Sequence, residues 1–197
     1  MELFGLIKLT FTDRETLLQT IKQEEWSGTL AYLAILYGWY VLITAPFFIL
    51  QKYLAESTIP IKEYIAVMPI SYALIFVIWI SWLFVWSGIV HIFVTIFKGQ
   101  GQYKDTFKAI AYGITPLFLI GSAMFYLKLL NPNLYLLIII VYIYSLYLII
   151  KGVSELHEIG IFKATTAYMI PFLTLLTTLI WFVWKTDLIK LIKTIGL

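Results

Sequence analysis

Five long stretches without a single Asp, Glu, Lys or Arg limit what this chain can fold into. They run from Thr29 to Leu50, Ile65 to Phe97, Ala109 to Leu127, Leu134 to Ile150, and Ala164 to Trp184. A helix crosses a hydrocarbon core about 30 Å thick with about 20 apolar residues, at a rise of about 1.5 Å per residue. The fourth stretch is the shortest. The second is longer than needed and is expected to tilt or to project beyond the membrane. A closed β-barrel also satisfies every backbone group in lipid, but it requires period-two alternation, and these runs are continuous. Nor can one soluble core hide them, because 61% of the 197 residues are hydrophobic and only 13% are charged, against about 25% charged in ordinary globular chains. The expected fold is therefore all-α: one polytopic membrane bundle of about five transmembrane helices.

The ends differ from the middle. Thr12-Asp13-Arg14-Glu15 has the form of a capping box at a helix start, with Thr12 and Glu15 as the capping side chains. The helix that follows would carry Leu17, Leu18 and Ile21 on one side. Near the C-terminus Leu188, Leu191, Ile192 and Ile195 fall at i, i+3, i+4 and i+7, with Lys190 and Lys193 off that stripe. Both ends read as amphipathic interfacial helices. The chain thus divides into an N-terminal segment (1–28), a five-helix membrane domain (29–184) and an amphipathic C-terminal segment (185–197). The N-terminus has no basic region ahead of a short apolar run, so no cleavable signal peptide is expected. With the N-terminus inside, the cytoplasmic side holds Lys8, Arg14, Lys22, Lys98, Lys104, Lys108, Lys151 and Lys163. The other side holds Lys52, Lys62, Lys128, Lys185, Lys190 and Lys193. The excess of basic residues favours a cell-membrane protein with its N-terminus in the cytoplasm and its C-terminus outside.

Spans two and three echo spans four and five. Phe107-Lys108-Ala109, six residues, then Pro116 recurs as Phe162-Lys163-Ala164, six residues, then Pro171. Upstream, Lys98-Gly99 is matched by Lys151-Gly152. Both units run in the same direction, so the repeat is parallel. Lys108 and Lys163 would snorkel to one interface. Each proline would then lie about 12 Å deeper, inside its helix, removing a backbone bond and kinking it. Two kinks at equal depth predict that the third and fifth spans pack together. Bending for packing is favoured over a moving hinge at Pro116 and Pro171.

The catalytic inventory is nearly empty. There is no cysteine, so disulfides, thiol nucleophiles and cysteine metal or redox sites are excluded. No ionised residue lies in a span, which counts against proton relays, ion pathways and intramembrane hydrolases. No enzyme and no cofactor is expected. Lys supplies all the basic residues but Arg14. They are spread along the chain, which argues against nucleic acid as a partner. His91 lies about 10 Å inside the interface. It reads as a buried, hydrogen-bonded imidazole, with a binding or pH-sensing role as the alternative. Glu155, His157 and Glu158, with His91, could offer metal ligands, but lack the paired cluster that a metal site needs, so no metal is assigned. Trp79, Trp82 and Trp86 share a helical face and read as packing or lipid contact rather than a stacking platform.

Two polar loops remain, 98–106 and 151–162, on one side and each opened by Lys-Gly. Their glycines allow sharp turns or close approach, and their lysines attract anionic headgroups at about 1 kcal/mol each. The candidate binding surface is accordingly His91, Lys98, Gly99, Gly101, Tyr103, Lys104, Lys108, Lys151, Gly152, Glu155, His157 and Lys163.

From His91 through Pro116 the chain resembles the Yip-one family of Rab-interacting polytopic membrane proteins, above all at Lys98-Gly99-Gln100-Gly101, then Tyr103, Thr106, Ala109, Tyr112 and Pro116. Gly152-Val153 and Lys163-Ala164 to Pro171 resemble the family's second segment. The resemblance covers most of the chain. It implies five spans, a cytoplasmic N-terminus and a short far-side C-terminus. Eukaryotic relatives are associated with Rab-type GTPases and with vesicle formation between endoplasmic reticulum and Golgi. This chain departs from them: no Asp-Leu-Tyr-Gly-Pro-like motif precedes the first span, which counts against GTPase binding and points to a compact prokaryotic or archaeal type. The preferred reading is a non-enzymatic membrane protein that binds lipids or protein partners, in membrane organisation or trafficking, with self-association left open. The alternative is a small transporter or lipid scramblase with a path between the repeated hairpins.

Overall fold

The computed structural model describes residues 3–54 and 60–185. Among them every regular element is helical. A short N-terminal pair, α1 (Leu3–Thr12) and α2 (Arg14–Gln23), leads into α3 (Trp26–Leu54) and α4 (Ile61–Ile96). Then come α5 (Tyr103–Gly113), α6 (Thr115–Leu130), a 3-10 turn (Pro132–Leu137), α7 (Ile138–Leu156) and α8 (Ile161–Lys185). Five segments are long and apolar enough to cross a membrane: Trp26–Tyr53, Lys62–Ile96, Tyr103–Leu127, Ile138–Leu156 and Ile161–Lys185. The α4–α5 and α7–α8 links and the α1–α2 pair share one end of the bundle, called here the linker face. The C-terminal amphipathic stripe lies outside the described residues.

The third span is two helices. The turn falls at Ile114, and Pro116 sits in the first turn of α6, where a missing N–H removes no intrahelical bond. The expected mid-helix kink at Pro116 is therefore corrected to a helix start. Pro171 does lie inside its helix, α8, and is buried. The two prolines are not equivalent, and the packing built on them changes too. α8 lies against α4 and α7, while α6 packs on α3 and α7.

The centre of the bundle is α5, buried from Asp105 to Gly113 and packed most closely on α7. Small residues allow this. Gly152 faces Ala109, where an added Cβ would lie 3.1 Å from the alanine's own. A Cβ on Gly113 would come 2.8 Å from the Ile149 backbone nitrogen. Lipid provides little hydrophobic drive between helices, so backbone proximity and dispersion take its place.

At the N-terminal pair the cap is Asp13, not Thr12. Asp13 accepts from the Thr16 backbone N–H at 3.1 Å and from its hydroxyl at 2.7 Å, while the Thr12 hydroxyl donates back to the Lys8 carbonyl at 2.9 Å. These bonds hold the Asp13 carboxyl below its usual range. The apolar stripe Leu17, Leu18 and Ile21 is present and buried. It rests in the crevice between α5 and α7, against Ala109, Tyr112, Gly113, Leu148 and Gly152. The amphipathic helix α2 thus turns its apolar face to protein rather than to lipid.

Candidate functional site

Both links on the linker face begin with the same turn. At the end of α4, Lys98 takes a left-handed backbone (φ 63°), Lys98 N–H donates to the Thr95 carbonyl at 2.9 Å and Gly99 N–H to Val94 at 3.0 Å. At the end of α7, Glu158 is left-handed (φ 56°), Glu158 N–H donates to Glu155 at 3.4 Å and Ile159 N–H to Ser154 at 3.0 Å. These are two Schellman motifs with a non-glycine residue at the left-handed position. The repeat is therefore real in geometry but shifted in register. The partner of Lys98 is Glu158, not Lys151. Lys151, Gly152 and Glu155 lie within α7, where Lys151 pairs with Glu155 at 2.8 Å. The expected loops 98–106 and 151–162 shrink to residues 97–102 and 157–160, the remainder being helix.

The two links are bonded to one another. Gln100 N–H donates to the His157 carbonyl at 3.0 Å. The Thr106 hydroxyl lies 3.0 Å from His91 Nδ1 and 2.8 Å from His157 Nε2. A hydroxyl has one hydrogen, so it donates to one ring and accepts from the other, and two neutral imidazoles on α4 and at the end of α7 are joined through α5. The other ring nitrogen of His157, Nδ1, is buried without a hydrogen-bond partner of good geometry. It lies against Gly101, where any Cβ would collide with it. Burial first, and the neighbouring His91 second, push His157 down to about 4 from an ordinary 6.5, against the opposing pull of Asp105.

Lys108 departs furthest from expectation. It does not snorkel. Only 1% exposed, it extends its ammonium under the end of α2, donating to the carbonyls of Ile21 at 2.7 Å, Lys22 at 3.3 Å and Glu24. The last carbonyls of a helix lack intrahelical donors and carry its negative dipole end, so a lysine suits them. Lys163, its sequence counterpart, is exposed on the first turn of α8. Tyr103 donates to the Phe84 carbonyl at 2.9 Å and meets the His91 ring edge-on. Asp105 caps α5, accepting from Gln102 N–H at 2.7 Å.

Above this bonded layer two polar clefts adjoin. One of about 320 Å³ is bounded by Lys22, Gln100, Gly101, Gln102, Lys104, Asp105, Leu156 and Glu158. The other, about 490 Å³, runs from Lys22 to Ser27 and is closed by Lys104. Lys22 also pairs with Glu158 at 3.4 Å. The structure thus brings together His91, Gly99, Gly101, Tyr103, Lys104 and His157 of the expected surface. Lys98 is exposed beside them, and Lys108 is beneath, as a strut. Among the described residues no three His, Cys, Asp or Glu side chains converge as metal ligands.

The sequence reading left Thr106, Asp105, Lys22 and Gln100 out of the candidate surface. Thr106 had a usable signal, since a threonine one helical turn into a buried amphipathic helix needs partners. Lys22 had none, because its place depends on the docking of α2. The Trp79, Trp82 and Trp86 face is divided: Trp79 packs on Phe118 at 4.7 Å, Trp86 meets Tyr168 at 5.8 Å, and Trp82 is exposed.

In comparison with known proteins, the family model of the Yip1 domain matches residues 8–183. No curated protein and no solved structure matches the chain.

Proposed function

From the premise that this chain belongs to the Yip1 domain family, we propose that it works by binding, not catalysis, and that its linker face receives anionic phospholipid headgroups. The observation that carries this reading is the pair of adjoining polar clefts framed by Lys22 and Lys104, on a layer bonded across both links. Lysines near a membrane surface attract anionic lipid at about 1 kcal/mol each; the exposed Lys98 and Lys163 add two cations to Lys22 and Lys104, against the carboxylates of Glu24, Glu25, Asp105 and Glu158 that also line the clefts. On this reading residues 29–184 are the membrane domain, and the linker face is the cytoplasmic face of the cell membrane. The Rab-type GTPases associated with the family are the alternative partners for the same face. A transport path between the repeated hairpins gains no support from the packing, since α8 lies on α4 and α7.

The test uses protein in nanodiscs of neutral lipid and measures capture of vesicles containing an anionic phospholipid. Replacing Lys22, Lys98, Lys104 and Lys163 with Gln should lower capture by more than about tenfold and make the remaining capture insensitive to salt. Undiminished capture by a folded variant would remove the headgroup reading.

A further inference from the structure

Two clefts at the opposite half of the bundle have no part in that reading. The first, about 320 Å³, opens between α3 and α4 and is walled by Tyr40, Phe48, Tyr64, Val67, Ser71 and Tyr72 among others. The second, about 260 Å³, adjoins it at Tyr40 and Ile75 and continues past Trp79 to Phe118 on α6. Together they form one trough along α4. From Tyr64 to Trp79 it runs about 22 Å at about 1.5 Å per residue, longer than the roughly 15 Å that half a hydrocarbon core provides. Its residues belong to membrane-spanning segments, so its mouth faces hydrocarbon.

The walls select the occupant. Two of the wall hydroxyls are engaged within the protein: Ser71 donates to the Val67 carbonyl at 3.1 Å, and the Tyr72 and Thr44 hydroxyls share a bond at 3.3 Å. A polar solute finds little to bind. The floor is aromatic and self-supporting, with Trp79 against Phe118 at 4.7 Å and Tyr37 against Trp79 at 5.9 Å. Aromatic side chains bury a large area with few rotatable bonds, so the trough does not collapse as aliphatic side chains would. At the outer end two lysines stand at the mouth of the trough: the Lys52 ammonium lies 5.7 Å from the centre of the Tyr64 ring, and Lys62 opens α4, followed by Glu63.

We propose that the trough holds one acyl chain of a phospholipid from the leaflet opposite the linker face, with the phosphate at Lys52 and Lys62. This is a second lipid site, independent of the clefts at Lys22 and Lys104. The acyl chain lies extended along α4 from Tyr64 toward Trp79.

A phospholipid carrying a photoactivatable group on its acyl chain tests this in nanodiscs of the full chain, with labelled peptides mapped by mass spectrometry. Labels should concentrate on residues 64–79 of α4. Val67→Trp combined with Ser71→Trp should fill the trough and reduce labelling there severalfold, while Ile143→Trp, on the exposed face of α7, should not. Lys52→Glu with Lys62→Glu, which places carboxylates where the phosphate would sit, should reduce labelling of residues 64–79 about tenfold. Labels spread over α7 and α8 in proportion to exposure would overturn the proposal. So would unchanged labelling of the filled variant, or crosslinks showing that a second copy of the chain occupies the trough. Should the filled variant not fold, the wild-type map and the lysine pair decide the matter alone.

Discussion

His157 is held by packing against its own preference for water. Its ring is fully buried, one nitrogen is bonded to Thr106, and the groups that bear on its charge are His91 on α4, Asp105 on α5 and the backbone of Gly101. Glu158, next in the chain, is engaged with Lys22. Above pH 6.5 the imidazole is neutral whether the chain is folded or not, and its packing contributes fully. As pH falls from 6.5 toward about 4, the unfolded chain takes up a proton that the folded one refuses, so stability declines through that window. Below it both states are protonated and this group costs nothing further. Thermal unfolding in detergent should therefore show a midpoint that drops between pH 6.5 and 4. In His157→Gln that drop should shrink, although the variant starts lower at neutral pH. A wild-type midpoint flat across the window would show that His157 is not the buried neutral group described.

At the scale of elements, the most instructive one is α2. Alone it is ten residues long, short for an isolated helix in water. Its stability comes from Leu17, Leu18 and Ile21 in the α5–α7 crevice and from Lys108 beneath its last carbonyls. Lys108→Met preserves the apolar stem and removes the donors. Leaving buried carbonyls unpaired costs about 1–3 kcal/mol, so amide exchange over residues 17–23 should accelerate by one to two orders of magnitude, and trypsin should cut faster at Lys22. Lys108→Arg, which keeps the cation, should recover part of the loss. Exchange in Lys108→Met equal to wild type would mean that α2 docks without its strut. This element also marks how far reading residues in order can reach. The five spans are legible because apolar length is a local property, and so is the amphipathic stripe of α2. What α2 covers is not local: a lysine at the edge of a span reads as snorkelling until another helix is known to end above it. The turn at Ile114 is hidden for a similar reason, since Pro116 marks either a kink or a first turn, and neighbours decide which.

Across the whole molecule the architecture is a membrane bundle closed at one end. Three segments far apart in sequence meet there: α2, the 97–102 link and the 157–160 link. Their joints are specific: Lys108 under α2, Gln100 bonded to His157, Thr106 between two imidazoles, and Lys22 across to Glu158. The register of the repeat was the part of this site least visible in the residues. Lys98-Gly99 and Lys151-Gly152 look alike, but a left-handed turn is set by where a helix ends, and α7 continues to Leu156. Thus Glu158, which resembles Lys98 in no chemical respect, holds its place. The clefts bounded by these segments exist only if all three come together. The chain has no cysteine, so paired cysteines can be placed without background. Lys22→Cys with Glu158→Cys, treated in native membranes with a short bis-maleimide, should give an intramolecular crosslink in high yield, whereas Lys62→Cys with Glu158→Cys, at opposite ends of the bundle, should give none. Failure of the first pair to crosslink, or equal yields from both, would contradict the closed linker face from which the binding site is argued.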